Sequence, residues 1–207
     1  MHQLNVSTVY RQELKGRIIQ AAAELFSKFG IKAVKMDDVA RHLSISKRTL
    51  YEIYANKEEL LLEMVKQRDS QLKQHLDGFV QGEDTDVMDC IIEFYRVQVR
   101  EFATVNPLFF EELHIYPKLV EYFDERGKER KERAAEFLRM GVKSGYFLKD
   151  VNYELMQQMG EDVSKRVFET ETYKKYPLEE IFRNLIRMFL RAICTEKGIR
   201  RLDEGML

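Results

Sequence analysis

Apolar residues recur at helical spacing along nearly the whole chain, and the first of its three prolines is Pro107. Proline removes a backbone N–H donor and clashes with the preceding helical turn, so a long proline-free stretch suits long helices. No sustained alternation of apolar and polar residues, the pattern of a half-buried strand, is visible. The sequence therefore predicts an all-α protein.

The composition excludes several classes of protein. Of 207 residues, 44% are hydrophobic and 33% are charged, a balance typical of globular domains and not of disordered or membrane-embedded chains. No apolar run approaches the roughly 18 residues of a membrane span, and no signal peptide is apparent. The two cysteines, Cys90 and Cys194, are too few for a disulfide framework or a zinc site. We expect a cytoplasmic protein with no cofactor, no bound metal and no membrane contact.

Caps and breakers predict where the helices begin and end. The first helix is expected from about Gln12 to Phe29, and Gly30 suits the left-handed conformation that stops a helix. Its apolar face comprises Leu14, Ile18, Ala22, Leu25 and Phe29. Further helices are expected at about 36–43, 47–54, 57–80, 87–105, 108–115, 118–143, 152–168 and 178–195. A loop is expected at 81–85, and the polar tail after Gly198 is expected to fray.

Charge is distributed unevenly along the chain. The formal net charge is −1, but residues 1–57 carry ten lysines and arginines against five aspartates and glutamates, a net charge of +5. Residues 58–207 carry the balance of −6. A basic N-terminal quarter on an acidic remainder is what a DNA-binding head attached to a separate body would show.

Residues 36–57 have the pattern of a helix-turn-helix. The inner faces of its two short helices are formed by Val39, Ala40 and Leu43, and by Leu50, Ile53 and Tyr54. A tight turn at 44–46 joins them, and the small Ala40 lies where the helices must cross closely. In such a motif the second helix enters the major groove of DNA with its N-terminal residues towards the bases. A generic pair of antiparallel helices with an exposed basic turn is the alternative.

The helix that begins after Ser46 carries side chains suited to DNA. Ser46 can cap the helix and meet a phosphate, while Arg48 can form two hydrogen bonds to guanine. Thr49 can contact a base edge or a thymine methyl group. Tyr51 and Lys57 can reach phosphates. The predicted DNA-binding residues are Ser46, Lys47, Arg48, Thr49, Tyr51 and Lys57.

Four segments resemble the TetR family of bacterial transcriptional regulators. They are Phe-Gly-Ile at 29–31, Met-Asp-Asp-Val-Ala at 36–40, Ile-Ser-Lys-Arg-Thr-Leu-Tyr at 45–51 and Asn-Lys-Glu-Glu-Leu-Leu at 56–61. The resemblance covers roughly the first 60 residues without a gap. It implies a helix-turn-helix DNA-binding domain at 1–57 and a helical ligand-binding and dimerisation domain at 58–207. It also implies a homodimer that binds a palindromic operator in double-stranded DNA and is released from it by a small ligand.

The chain departs from the family pattern in three places, the last of them at residues 52–54, where Ile53 also replaces an expected phosphate contact. Ser44 stands where the turn usually has glycine and must accept a positive φ at a modest cost. Lys35 stands where a Thr or Ser usually caps the second helix, so a hydroxyl is lost and a cation is gained; we add Lys35 to the predicted DNA-binding residues. Glu52 would repel a phosphate unless it accepts a hydrogen bond from a cytosine amino group.

The body is rich in large apolar side chains. Most of them would fill a helical core, but a subset could wall a cavity, with a tyrosine or histidine as polar anchor. The predicted ligand-binding residues are Phe94, Tyr95, Phe102, Phe110, His114, Phe137, Met140 and Met159, and we expect a small apolar or amphipathic effector. Glu111 and His114 match half of a di-iron ligand pattern. The sequence lacks the second Glu-x-x-His pair that such a site needs, so no metal is predicted.

The last predicted helix, at 178–195, is apolar on more than one face and must be buried on two sides. The helix before it has a narrower apolar seam. A central helix within one monomer is one explanation; a four-helix interface between two chains is the other and agrees with the resemblance. The predicted interface comprises Met159, Val163, Val167, Phe182, Ile186, Phe189 and Ile193.

These patterns favour a dimeric, ligand-responsive repressor that is not an enzyme. No glycine-rich phosphate loop and no nucleophile elbow is visible. A helical carrier or enzyme, whose head makes protein contacts only, is the alternative from another class. An activator or a repressor without a ligand is a third hypothesis. Exposed Lys47, Arg48 and Thr49 beside a positive surface would favour the first hypothesis, and a converging catalytic pair the second.

Overall fold

The structure, a computed structural model, describes residues 2–80 and 85–206. Those residues form ten α-helices and no β-strand, which confirms the all-α prediction. The helices are α1 (His2–Phe29), α2 (Met36–His42), α3 (Lys47–Tyr51), α4 (Lys57–Val80), α5 (Val87–Thr104), α6 (Pro107–Leu113), α7 (Pro117–Lys143), α8 (Tyr153–Glu169), α9 (Leu178–Ile193) and α10 (Glu196–Gly205). A 3-10 turn at Thr172–Lys174 precedes α9. The loop expected at 81–85 lies outside the described residues, except for Thr85.

The chain divides into two compact units. The N-terminal unit comprises Met1–Leu72 and Val105–Phe123, and the C-terminal unit comprises Lys73–Thr104 and Asp124–Leu207. The N-terminal unit thus contains the predicted head together with α6 and the first residues of α7. These are units of packing; the functional boundary at residue 57 stays a prediction.

The core of the N-terminal unit is built on one face of α1. Leu14, Ile18 and Phe26 are buried there against residues of α2, α3 and α4. The sequence placed Phe29 on this face, but its side chain is 47% exposed at the end of the helix. Gly30 follows with a φ of 84°, the left-handed conformation expected of it. Phe26 therefore fills the core position in the last turn of α1.

In the C-terminal unit, α9 packs against α5, α8 and α10. Leu178, Phe182 and Ile193 of α9 are buried. The Phe182 ring stacks on the Phe102 ring of α5, with centroids 3.9 Å apart and planes 8° from parallel. The stacked pair joins α5 and α9 within this unit. The central position of α9 within the unit explains part of its double-sided apolar pattern.

The expectation of a frayed tail after Gly198 is wrong, because residues 196–205 form α10. The Thr195 hydroxyl caps this helix by accepting a hydrogen bond from the Gly198 N–H at 3.2 Å. Leu202 is fully buried. Asp203 accepts from Arg191 at 2.7 Å and from Arg187 at 3.2 Å, and these cations lower the pKa of its carboxyl. A cap, a buried leucine and two arginines thus hold the tail as a helix.

Gly141 of α7 allows a close approach that no other residue would permit. A Cβ added there would lie 2.0 Å from Cδ2 of the buried Phe147 ring. We predict that Gly141→Ala lowers the free energy of unfolding by about 1–3 kcal/mol, because the ring has to move in a packed core. Gly127→Ala, in the same helix, is the matched control, since a Cβ there meets nothing within 4 Å. It should raise stability by up to ~1 kcal/mol. Urea titration measures both; equal effects would contradict this packing.

Candidate nucleic-acid interface

The turn between α2 and α3 has the geometry of a helix-turn-helix. The Ile45 N–H donates to the Ala40 carbonyl at 3.0 Å, and the Ser44 N–H donates to the Arg41 carbonyl at 3.1 Å. Ser44 has a φ of 54°, the left-handed conformation that its position requires and that a glycine would adopt at lower cost. The Ser46 Oγ then accepts from the Thr49 N–H at 3.0 Å and caps α3. The chain therefore reverses within four residues, and the first turn of α3 begins with one of its free N–H groups hydrogen-bonded.

Buried apolar residues fix the orientation of α3. Val39 and Ala40 of α2, Leu50 of α3 and Tyr54 just after it are all buried in the N-terminal unit. Burial raises the pKa of the Tyr54 hydroxyl to about 12. Because Leu50 points inward, its neighbours along α3 are turned outward. The inner face predicted from the sequence is the face that packs.

The outward side of α3 carries the predicted base contacts. Ser46, Lys47, Arg48 and Tyr51 are exposed, and Thr49 is half-buried. The structure thus brings these five residues together on a single turn and a half of helix. Hydroxyl, guanidinium and phenol groups on one face can meet both base edges and phosphates. Their contacts with DNA remain a prediction.

Two of these cations already have acidic partners within the N-terminal unit. Lys47 pairs with Asp37 of α2. The Arg48 Nε donates to the Glu52 Oε1 at 2.8 Å, and this hydrogen bond raises the pKa of the guanidinium. Glu52 therefore has a cationic partner, Arg48, in the free protein.

Lys35 and Lys57 flank α2 and α3 in the sequence but differ in environment. Lys35 is exposed at the start of α2, where its N–H donates to the Asp38 Oδ2 at 2.8 Å. The Lys57 ammonium is half-buried and donates to the carbonyls of Ile31 at 2.9 Å and Val34 at 3.0 Å. Burial lowers the pKa of Lys57, although the nearby Glu112 acts in the opposite direction. Lys57 thus fastens the turn before α2. Its predicted phosphate contact would use the third N–H of the ammonium group.

We predict that Lys57→Met lowers the free energy of unfolding by about 1–2 kcal/mol, because two buried-side carbonyls lose a charged donor while the aliphatic packing is kept. Lys35→Met removes the same charge from an exposed position and should leave stability nearly unchanged. Urea unfolding followed by circular dichroism measures both variants. Equal stability of the two proteins would show that Lys57 does not fasten the turn.

Two further polar residues of the N-terminal unit were not predicted. The Arg11 Nη2 donates to the main-chain carbonyl of Glu52 at 3.2 Å. Glu112 of α6 is buried, and its Oε2 accepts from the Lys32 N–H at 2.7 Å. These contacts join residues 41 and 80 positions apart. No local pattern in the sequence indicates either of them.

The predicted ligand-binding residues fall into both units. Phe110 and His114 belong to the N-terminal unit, and the other six belong to the C-terminal unit. Within the C-terminal unit, Tyr95 is buried, whereas Phe94, Met140 and Met159 are 41%, 54% and 47% exposed. His114 is exposed. The aromatic pair of Phe102 and Phe182 continues to Phe168, whose ring lies 6.1 Å from that of Phe182. The assignment of these residues to an effector site stays a prediction.

The predicted interface residues also differ in burial. Val167, Phe182 and Ile193 are buried within their own chain. Val163, Ile186 and Phe189 are half-buried, and Met159 is exposed. Only the latter four retain surface that a second chain could cover. The role of the seven residues in dimerisation is a prediction, and it rests on these four.

Residues 2–80 and 85–206 lack the marks of a metal site, a reactive thiol or a membrane span. No three His, Cys, Asp or Glu side chains there come together as a group that could hold a metal ion. Both cysteines are free thiols, and burial raises the pKa of Cys90 and raises that of Cys194 to about 11. Neither is primed as a thiolate nucleophile. No helix within these ranges is long and apolar enough to cross a membrane.

A capped helix that presents lysine, arginine and hydroxyl side chains, held by a buried helix pair, defines a helix-turn-helix DNA-binding protein. Residues 18–64 match the family model described as bacterial regulatory proteins, tetR family. The resemblance to the TetR family inferred from the sequence is confirmed, because this segment contains the helix-turn-helix. The chain is therefore a DNA-binding transcriptional regulator.

Individual relatives extend the likeness beyond the head. The HTH-type transcriptional repressor KstR2 of Mycobacterium tuberculosis is 25% identical over 175 residues, which cover 72% of this chain and 77% of that protein. A TetR-family regulator from Marinobacter aquaeolei superposes with a TM-score of 0.68 at 18% identity, covering 92% of this chain and 95% of that one. FadR of Bacillus subtilis, solved with stearoyl-CoA, superposes with a TM-score of 0.62 at 17% identity. The superposition covers 86% of this chain and 98% of that one. The two structures share the fold of this chain.

Proposed function

We propose that the protein is a homodimeric repressor that binds a palindromic operator in double-stranded DNA and leaves it when a small apolar or amphipathic effector binds. It acts in the cytoplasm and catalyses no reaction. The observation that carries the proposal is α3, where Ser46, Lys47, Arg48 and Thr49 stand together on the outward face of a rigidly packed helix. KstR2, named a repressor, supports the sign of regulation.

Recognition would divide between bases and phosphates. Arg48 and Thr49 would contact base edges in the major groove, because they lie in the N-terminal turn of α3. Lys35, Lys47, Tyr51 and the remaining donor of Lys57 would contact phosphates, which set register and supply affinity that falls with salt. In a symmetric dimer, two copies of α3 would read half-sites about one helical turn or a multiple of it apart.

The proposed dimer interface lies on α8 and α9. Leu155 and Met159 are 55% and 47% exposed, and half-buried Val163 follows at the same four-residue spacing, so α8 carries an apolar stripe. Ile186 and Phe189 of α9 are half-buried and lie three residues apart. A second copy of the chain would cover these side chains. A closed two-fold arrangement is also the commonest symmetry of soluble oligomers.

The effector is proposed from the composition of the C-terminal unit and from a relative. Tyr95, Phe102 and Phe137 contribute aromatic surface there, and Met140 and Met159 add adaptable side chains. FadR of Bacillus subtilis was solved with stearoyl-CoA, an amphipathic molecule. A ligand changes DNA affinity only by binding one conformation better than another. Because α4 contributes residues to both units, it is the proposed route between effector and head.

We predict that stearoyl-CoA lowers the affinity for the operator by a factor of about 5–150, the usual range of coupling between two sites. Coenzyme A without the acyl chain is the matched control and should have little effect, because the apolar chain supplies the differential binding. Fluorescence anisotropy of labelled operator DNA measures the affinity. If neither stearoyl-CoA nor any compound from an apolar library changes it, the protein is a DNA-binding dimer without an effector.

A further inference from the structure

Arg48 is held by its neighbour one turn further along α3. Its side chain is 89% exposed, and its Nε donates a hydrogen bond to the Glu52 Oε1 at 2.8 Å. Glu52 is itself 59% exposed on the same face. A long exposed arginine normally samples many rotamers, and each ordered side chain loses conformational entropy on binding. Because Glu52 orders Arg48 in the free protein, less side-chain entropy is lost when Arg48 binds DNA.

The atom that Glu52 engages determines how the arginine faces DNA. A guanidinium is planar, and a carboxylate bound at Nε directs the two terminal nitrogens away from itself. Those nitrogens are the donors that match the O6 and N7 acceptors of guanine end-on. The pair with Glu52 therefore leaves the bidentate edge of Arg48 available, on a side chain that is 89% exposed.

The main chain at Glu52 is in turn held by a residue of α1. Its main-chain carbonyl, at the C-terminal end of α3, accepts from the Arg11 Nη2 at 3.2 Å. The carbonyls at a helix C-terminus lack intrahelical partners, so a cation there is favourable. Arg11, Glu52 and Arg48 thus form a chain of contacts along the exposed side of the head.

The charge of Glu52 has a second effect. A carboxylate on the DNA-facing side repels phosphates, and Lys47 also has an acidic partner, Asp37, in the free protein. Non-specific binding depends on unpaired cations that release counterions from DNA. Arg48 can hydrogen-bond to a base while it is paired with Glu52. Its attraction to phosphates, in contrast, is weakened by the negative charge of Glu52. The Arg48–Glu52 and Lys47–Asp37 pairs therefore lower the affinity for unmatched DNA more than the affinity for a matched site.

We propose that Glu52 is a positioning and specificity-determining residue, which presets Arg48 for guanine and suppresses binding to unmatched DNA. The inference rests on the proposed function, in which α3 reads base edges. It keeps the repulsion of phosphates expected from the sequence, replaces the expected cytosine contact, and adds a role through Arg48.

The test compares wild type, Glu52→Ala, Glu52→Gln, Arg48→Ala and the Arg48→Ala/Glu52→Ala double variant on a selected site and on a scrambled duplex of equal length. Glu52→Ala should bind the scrambled duplex about threefold to tenfold more tightly, because a like charge near the phosphates is gone. Its preference for the selected site should fall about tenfold. Glu52→Gln keeps an acceptor for Arg48 and should retain more of the preference. The double variant should lose no more preference than Arg48→Ala alone.

Glu24→Gln is the matched control, because Glu24 is exposed on α1 and contacts His42 at 3.4 Å instead of Arg48. It should shift the affinity for both duplexes by the same small factor. Loss of affinity for both duplexes in Glu52→Ala, or an unchanged preference, would overturn the inference while leaving the proposed function intact. A wild-type protein that prefers no sequence would overturn the proposed function itself.

Discussion

Replacing Arg48 by alanine is expected to lower affinity for the preferred operator by a factor of about 5–100 and to relax the preference at one base pair of each half-site. The reason is the loss of a bidentate contact to guanine, which distinguishes one base pair from the other three. Arg48 is 89% exposed on a helix whose inner side is locked by Leu50. The substitution removes no packing, so stability should not change. Competition titrations with single-base variants of the operator measure the effect.

Arg41→Ala is the matched control for this prediction. Arg41 is a 78% exposed arginine on α2, paired with Asp38 at 3.2 Å, and it carries the same charge. If it contacts DNA at all, it does so through phosphate. Its loss should weaken binding to all sequences alike and reduce the salt dependence by about one unit of slope. If Arg48→Ala behaves in this way too, α3 does not read bases.

Phe189→Glu is expected to convert the proposed dimer to a monomer and to abolish operator binding. A carboxylate in a dry apolar interface without a partner costs several kcal/mol, which exceeds what a helical interface of ordinary size can absorb. A monomer offers one recognition helix and loses the second half-site. Sedimentation velocity measures the oligomeric state, and circular dichroism shows whether the monomer is folded.

Met188→Glu is the matched control for Phe189→Glu, because it places the same charge on α9 outside the predicted interface. Met188 is the immediate neighbour of Phe189 and is 54% exposed, but it projects from a different side of the helix and is not among the predicted interface residues. This variant should remain a dimer and bind the operator. A folded Phe189→Glu protein that sediments as a dimer would place the interface elsewhere on the chain.

Local patterns predicted most of the fold. Gly30 and the proline at position 107 end or begin helices by backbone rules that need no tertiary information, and both boundaries hold. The tail was misjudged because its many charged residues suggested solvent exposure. Thr195 and Leu202 carried a readable cap and an apolar anchor, but only the packing of α10 against α5 and α9 makes the helix stable.

The candidate site was predictable to the extent that it is local. Residues 46–49 lie in one turn of helix, so their spacing alone places them together. The contacts of Arg11 with Glu52 and of Glu112 with Lys32 depend on the tertiary fold, and no periodicity encodes them. The helical phase of Phe182 predicts an interface position, and in the structure its ring stacks on Phe102 within its own chain. The position of a residue around its helix does not determine whether its side chain packs within its own chain or against a second chain.

Selection of bound sequences from a random pool of double-stranded DNA tests the central claim most directly. Wild-type protein should enrich a palindrome whose half-sites are centred about 34–36 Å or a multiple apart, each with a conserved G·C pair. Arg48→Ala, selected in parallel, should lose the preference at that pair while the half-site spacing persists. A pool that shows no enrichment after repeated rounds, or the same consensus from both proteins, would contradict the assignment of α3 as the recognition helix.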